Sequence, residues 1–133
     1  MAESSKALVL QALSEWGDID DFEARAREYL APDAEYVEDP DWPGAGAYRG
    51  IDAIGARWRE YADLLGDDVT AEVQELVETE RGIFVRFRNT GRATASGMSY
   101  DHTWGYVFRV CDGRISYWRA YFEPDDARRA VGL

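Results

Sequence analysis

A chain of 133 residues is one domain of ordinary size, read here as a single unit over 1–133, and folding removes about two-thirds of its unfolded surface from water. Its 15 Lys and Arg stand against 26 Asp and Glu, and the resulting net charge of −11 repels phosphate backbones, so no nucleic-acid partner is expected. The single cysteine, Cys111, permits no intrachain disulfide and fits a reducing compartment, while one cysteine and one histidine cannot supply an ordinary zinc ligand set.

The chain opens with MAESSKALVLQALSEW, in which Glu3 comes early and the apolar residues are amphipathic rather than continuous. No signal peptide or membrane span is therefore expected, and the cytoplasm is the expected location. Leu8, Val9, Ala12, Leu13 and Trp16 recur at helical spacing, with Ser4 or Ser5 as the cap and Gly17 as the stop. A second helix begins with the capping-box-like Asp20 and Glu23, buries Phe22, Ala26, Tyr29 and Leu30, and ends at Pro32. A short strand over about residues 35–38 then runs into a Pro- and Gly-rich loop that carries Asp39, Trp42 and Tyr48. The third helix, 51–65, presents Ile51, Ile54, Trp58, Tyr61 and Leu65 on one face before Gly66; Arg49 and Arg57 read as solvated charges.

From Val69 the period becomes two. Ile83, Val85 and Phe87 alternate with Arg86 and Arg88, marking a sheet with one apolar face, and a parity break at 75–77 predicts a β-bulge. Residues 100–122 form a long hairpin around Cys111-Asp112-Gly113. A three-residue loop closed by Gly113 pairs Tyr106 with Trp118, Trp104 with Ala120 and His102 with Phe122; a two-residue Asp-Gly loop pairs Trp104 with Tyr121 and Tyr106 with Arg119. The first is preferred, because it gathers His102, Trp104, Tyr106, Phe108, Trp118 and Phe122 into one aromatic wall. A short helix at 124–131, with Pro124 in its first turn and Arg128 and Arg129 near its end, closes the chain. Helices followed by antiparallel strands predict an α+β fold with helices on one face of the sheet.

This order of elements resembles the nuclear transport factor 2-like superfamily, and within it the SnoaL-like and ketosteroid isomerase-like group. The residues that carry the resemblance are Gly17-Asp18-Ile19-Asp20, Val37-Glu38-Asp39-Pro40, Tyr48-Arg49-Gly50, Gly91-Arg92, Ser96-Gly97, Asp112-Gly113-Arg114-Ile115 and Ala130-Val131-Gly132-Leu133. It implies a cone-shaped barrel in which a curved antiparallel sheet wraps around the N-terminal helices. It also makes Asp39, the acid of VEDP, the general base that moves a proton α to a carbonyl. The tyrosine that polarises the substrate oxygen in ketosteroid isomerases falls at Leu10 and its partner acid near Tyr106, so the Tyr-plus-acid oxyanion hole is not kept. Tyr106 still offers one hydrogen bond.

Independently of that resemblance, a carboxylate at a strand end beside Pro40 and Trp42 suits general-base work, although Asp before Pro is also a common turn starter. Asp39→Asn is expected to remove turnover and leave the fold nearly intact. His102, the only histidine, is either a second acid/base across the cavity from Asp39 or a hydrogen-bonded core residue. Trp42, Trp58, Tyr61, Trp104, Trp118 and Phe122 are core residues or the walls of a pocket for a small apolar molecule. Two functions follow: a cofactor-independent, metal-free isomerase, cyclase or dehydratase working by proton transfer on a polyketide- or terpenoid-like substrate, or a non-catalytic ligand-binding module of the same fold. A homodimer is expected through the outer sheet face, where Thr103, Val107, Arg109, Tyr117, Arg119 and Tyr121 mix large contact area with directed hydrogen bonds.

Overall fold

A computed structural model describes residues 2–14, 19–42, 44–65, 69–94 and 96–133. The elements are α1 (Ala2–Ser14), α2 (Ile19–Tyr29), β1 (Leu30–Val37), β2 (Ala47–Arg49), α3 (Ile51–Leu65), β3 (Thr70–Thr79), β4 (Gly82–Arg92), β5 (Ser99–Cys111), β6 (Arg114–Tyr121) and α4 (Pro124–Ala130). The roles expected of Trp16, Gly17, Asp18 and Gly66 fall outside the described residues, as do those of the Ser4, Asp20, Phe22, Glu23 and Leu65 side chains. Ser5 is not a cap, because α1 already begins at Ala2.

The fold is α+β: N-terminal helices pack on a curved six-stranded sheet of order β2-β1-β6-β5-β4-β3 that does not close. Every ladder is antiparallel except β1 with β6, which is parallel. Two expected boundaries move. Helix α2 ends at Tyr29, and Pro32 lies inside β1 instead of stopping the helix. Pro32 is tolerated because the β1–β6 register breaks between Leu30 and Glu35, where a missing N–H costs no ladder bond. The loop expected after β1 also holds the short strand β2, paired to β1 through Glu35–Arg49, Tyr36–Tyr48 and Val37–Ala47.

The hairpin follows neither expected pairing. Asp112 (φ 53°) and Gly113 (φ 76°) form a two-residue turn with both residues left-handed, the geometry whose twist matches the flanking strands. Ser116 is then bulged out, since Val110 pairs with Ile115 but Arg109 with Tyr117. The bulge restores even-to-even pairing, so Tyr106 faces Ala120 and Phe108 faces Trp118. The aromatic residues therefore share one face as expected, with partners displaced by two. On β3 the bulge falls at Gln74, just before the expected parity break.

The core lies between the helices and the inner sheet face. Val9, Leu13, Ala26, Tyr29 and Ile54 from the helices meet Ile83, Val85, Phe87, Tyr106, Phe108, Ile115 and Trp118, all buried. Each such large apolar side chain stabilises the fold by about 1.5–3 kcal/mol relative to exposure. The sheet does not have a single apolar face. Phe84, Val107, Ala127 and Val131 form a second cluster where α4 covers the outer face, so Val107 is closed to any partner. Gly105 permits this approach: a Cβ there would meet the Ala127 Cβ at 2.6 Å and the Pro124 Cα at 2.8 Å.

Candidate active site

Where β1 ends, Glu38 and Asp39 are the only buried charged residues among those described. They border a cavity of about 390 Å³ between α3, the inner face of β4–β6 and the loop after β1. Asp39, His102 and Tyr106 all line it, as do Trp42, Trp58, Tyr61, Trp104 and Phe122. Trp118, expected among the walls, does not. It is buried behind the lining, stacked on Trp58 with ring centroids 5.1 Å apart and planes at 10°.

Asp39 is fixed by main-chain donors. The Asp41 N–H donates to Oδ1 at 3.0 Å, and the Phe122 N–H donates to Oδ2 at 2.9 Å. His102 engages the same residue from the other side, with Nε2 3.0 Å from the Phe122 carbonyl oxygen. A carbonyl only accepts, so Nε2 carries a proton, and in the corresponding tautomer Nδ1 is the nitrogen that accepts. His102 and Asp39 are thus joined through the main chain of Phe122 and do not face each other across the cavity. The imidazole lies 4.2 Å from the Phe122 ring and 4.6 Å from the Trp104 ring, and Trp42 packs edge-on to Trp104 at 5.1 Å. Tyr106 is buried on the inner face, and burial, then the neighbouring Tyr61, pushes its hydroxyl pKa well up, so it stays protonated.

Glu38, two residues after Tyr36 on β1, carries a network that sequence reading missed. Arg57 Nε and Nη2 donate to its two oxygens at 3.0 Å each, the Gly46 N–H at 3.1 Å and the Tyr36 hydroxyl at 3.2 Å, and the Tyr61 hydroxyl donates as well. Arg57 is therefore not a solvated charge; its side chain is 13 % exposed and that of Glu38 is 2 %. Arg49, at 71 %, is exposed as expected. Burial and the bond to Glu38 raise the Tyr61 pKa, while burial, then Tyr106, raises that of Tyr36.

Asn89, opposite His102 in the β4–β5 register, also lines the cavity, and its Oδ1 is buried without a partner. Its signal was present: Asn89 continues the inward set Ile83, Val85, Phe87 and is the first polar member. Leu10, the position equated with the isomerase tyrosine, is 45 % exposed on α1 and outside the lining. Among the described residues, no group of three or more His, Cys, Asp or Glu is placed to hold a metal ion, and no helix is long and apolar enough to cross a membrane.

The family model of the SnoaL-like domain matches residues 11–118. No curated protein matches the chain. Among solved structures, a protein of Jannaschia sp. CCS1 provisionally described as a SnoaL-like polyketide cyclase is similar at 19 % identity and TM-score 0.80, over 98 % of this chain and 93 % of that one. TerC co-crystallised with polyporic acid is similar at 14 % identity and TM-score 0.73, over 98 % and 99 %. A Catenulispora acidiphila protein with a ketosteroid isomerase-like fold, in complex with trimethylamine, is similar at 12 % identity and TM-score 0.72, over 95 % and 92 %.

Proposed function

The chain belongs to the SnoaL-like domain family, and from that premise we propose that its cavity holds a small, largely apolar molecule of polyketide or terpenoid kind and moves a proton on it, in an isomerisation, cyclisation or dehydration that needs no cofactor. The observation that carries this reading is the pairing of Asp39 and His102, which line one cavity and are each hydrogen-bonded to Phe122. Asp39 keeps lone pairs beyond those used by its two N–H donors and acts as the base towards a C–H next to a carbonyl. Tyr106, protonated through its burial, donates to the oxygen where negative charge develops. The protonated Asp39 then returns that proton to the product carbon, and His102 offers Nδ1 as a hydrogen-bond acceptor to the substrate. The aromatic walls orient a flat substrate and exclude water. Small ligands in the TerC and Catenulispora structures lend support, since both proteins share the fold.

One observation favours the second reading, a binding module without chemistry: both Asp39 oxygens are already engaged by backbone N–H groups, as in a residue that fixes a turn. Solvent-deuterium incorporation into a panel of cyclic ketones and enones, followed by NMR, separates the two. Exchange that disappears in Asp39→Asn supports the enzyme, and ligand binding without exchange supports the module.

We also propose a single domain over 1–133, placed in the cytoplasm, that pairs as a homodimer through the outer sheet face. Tyr117, Arg119 and Tyr121 lie there beside Thr103 and Arg109, and the Arg119 Nε is buried without a partner. Sedimentation at micromolar concentration tests the dimer; a 15.1 kDa species overturns it.

A further inference from the structure

At its α3 end the cavity is bounded by two tyrosine hydroxyls, Tyr36 and Tyr61, both within hydrogen-bonding reach of Glu38 Oε2. The Arg57 guanidinium donates to both carboxylate oxygens, an arrangement that matches a carboxylate acting as acceptor only. In both contacts the proton must come from the tyrosine. Tyr61 has no second proton to offer a ligand. Its oxygen also accepts from Arg57 Nη2 at 3.1 Å, which leaves one lone pair for the cavity.

We propose that Tyr61 determines specificity as a hydrogen-bond acceptor, so that the molecule held here is an apolar compound carrying a hydroxyl at the end that meets α3. This rests on the reading of the cavity as a ligand site and adds the polarity of one end of the ligand. Beside Tyr61 a neutral hydroxyl suffices as donor, because Glu38 is already paired with Arg57 and leaves no net negative charge at that point. No Lys or Arg lines the cavity among the described residues, which leaves a carboxylate or phosphate ligand without a counter-charge. Glu38 and Arg57 act through Tyr61 and are positioning residues.

The test is isothermal titration calorimetry with shape-matched pairs, the naphthols against the corresponding methoxynaphthalenes, on the wild type, Tyr61→Phe and Glu38→Gln. The hydroxyl compound is expected to bind the wild type about tenfold more tightly than its methyl ether, as one buried hydrogen bond warrants. Tyr61→Phe brings that ratio close to one. In Glu38→Gln the new amide N–H donates to Tyr61, the tyrosine proton turns to the cavity, and the preference moves towards the ether. Equal wild-type binding of both compounds, or an unchanged ratio in Tyr61→Phe, overturns the inference while leaving the ligand site intact. Binding of neither compound in any pair overturns the ligand-site reading and this inference with it. Tyr61→Phe carries the test alone if Glu38→Gln does not fold.

Discussion

Asp39→Asn is the obvious probe of a general base, and the geometry makes it less innocent than its shape suggests. The carboxylate receives one N–H on each oxygen, from Asp41 at 3.0 Å and from Phe122 at 2.9 Å. An asparagine amide has one oxygen and one NH2 group. Whichever way it turns, one backbone N–H keeps its acceptor and the other faces a second donor. A buried donor left without an acceptor costs about 1–3 kcal/mol. For a chain of 133 residues each kcal/mol lowers the melting temperature by about 3–5 °C, so Asp39→Asn should melt roughly 3 to 15 °C below the wild type. Circular dichroism melts measure the shift, and deuterium exchange at a temperature where both proteins are folded measures the chemistry. An unchanged melting temperature would refute the two-acceptor arrangement and restore the expectation of a structurally silent change.

Three further outcomes follow from the same geometry. Arg57→Met leaves Glu38 buried without its cation and should cost about 3–5 kcal/mol in urea unfolding; a loss below about 1 kcal/mol, typical of exposed pairs, would mean the pair is solvated. The hydroxyls of Tyr36, Tyr61 and Tyr106 have pKa values raised above 10.0 by burial, so their contribution is complete below that pH and falls as the unfolded chain ionises above it. Alkaline titration followed by phenolate absorbance should show a late phase that coincides with unfolding, and free titration of every tyrosine in the folded state would contradict it. Gly105→Ala forces a methyl into α4 and should destabilise by about 1–3 kcal/mol, with faster hydrogen exchange in α4; wild-type exchange there would show that the helix is not held where Gly105 allows it.

Much of the fold was legible because inner-face parity is a strong signal. The even residues from His102 to Phe108 and the odd residues from Ile83 to Asn89 point to one side, and a one-residue slip would turn either set outward. The outer face was harder. Ile83-Phe84-Val85 is a continuous apolar run rather than an alternation, which indicates burial on both sides, and Gly105 within an aromatic strand marks a close approach. Both signals were overlooked because the arginines of β4 suggested solvent. The Ser116 bulge left no trace in sequence. It follows from a two-residue turn whose register would otherwise send Trp118 outward and turn Tyr117 and Tyr121 in.

The site was half legible, for a related reason. VEDP draws attention to Asp39, yet Glu38, the first residue past β1, keeps the inward parity of Tyr36, and that parity alone places its carboxylate beside the aromatic core. Glu38 reads as a surface charge because its counter-ion lies nineteen residues away, on a helix whose apolar stripe includes Trp58 and Tyr61 but not Arg57. Only the packing of α3 against β1 brings them together. A buried ion pair is a poor source of net stability, since desolvation offsets much of the attraction, and an apolar pair of similar volume serves packing equally well. What an apolar pair cannot do is receive the protons of Tyr36 and Tyr61 and thereby fix which way each hydroxyl points. The placement of the pair, at the strand end beside the cavity and beneath two lining tyrosines, gives its charge a use in recognition that packing does not require.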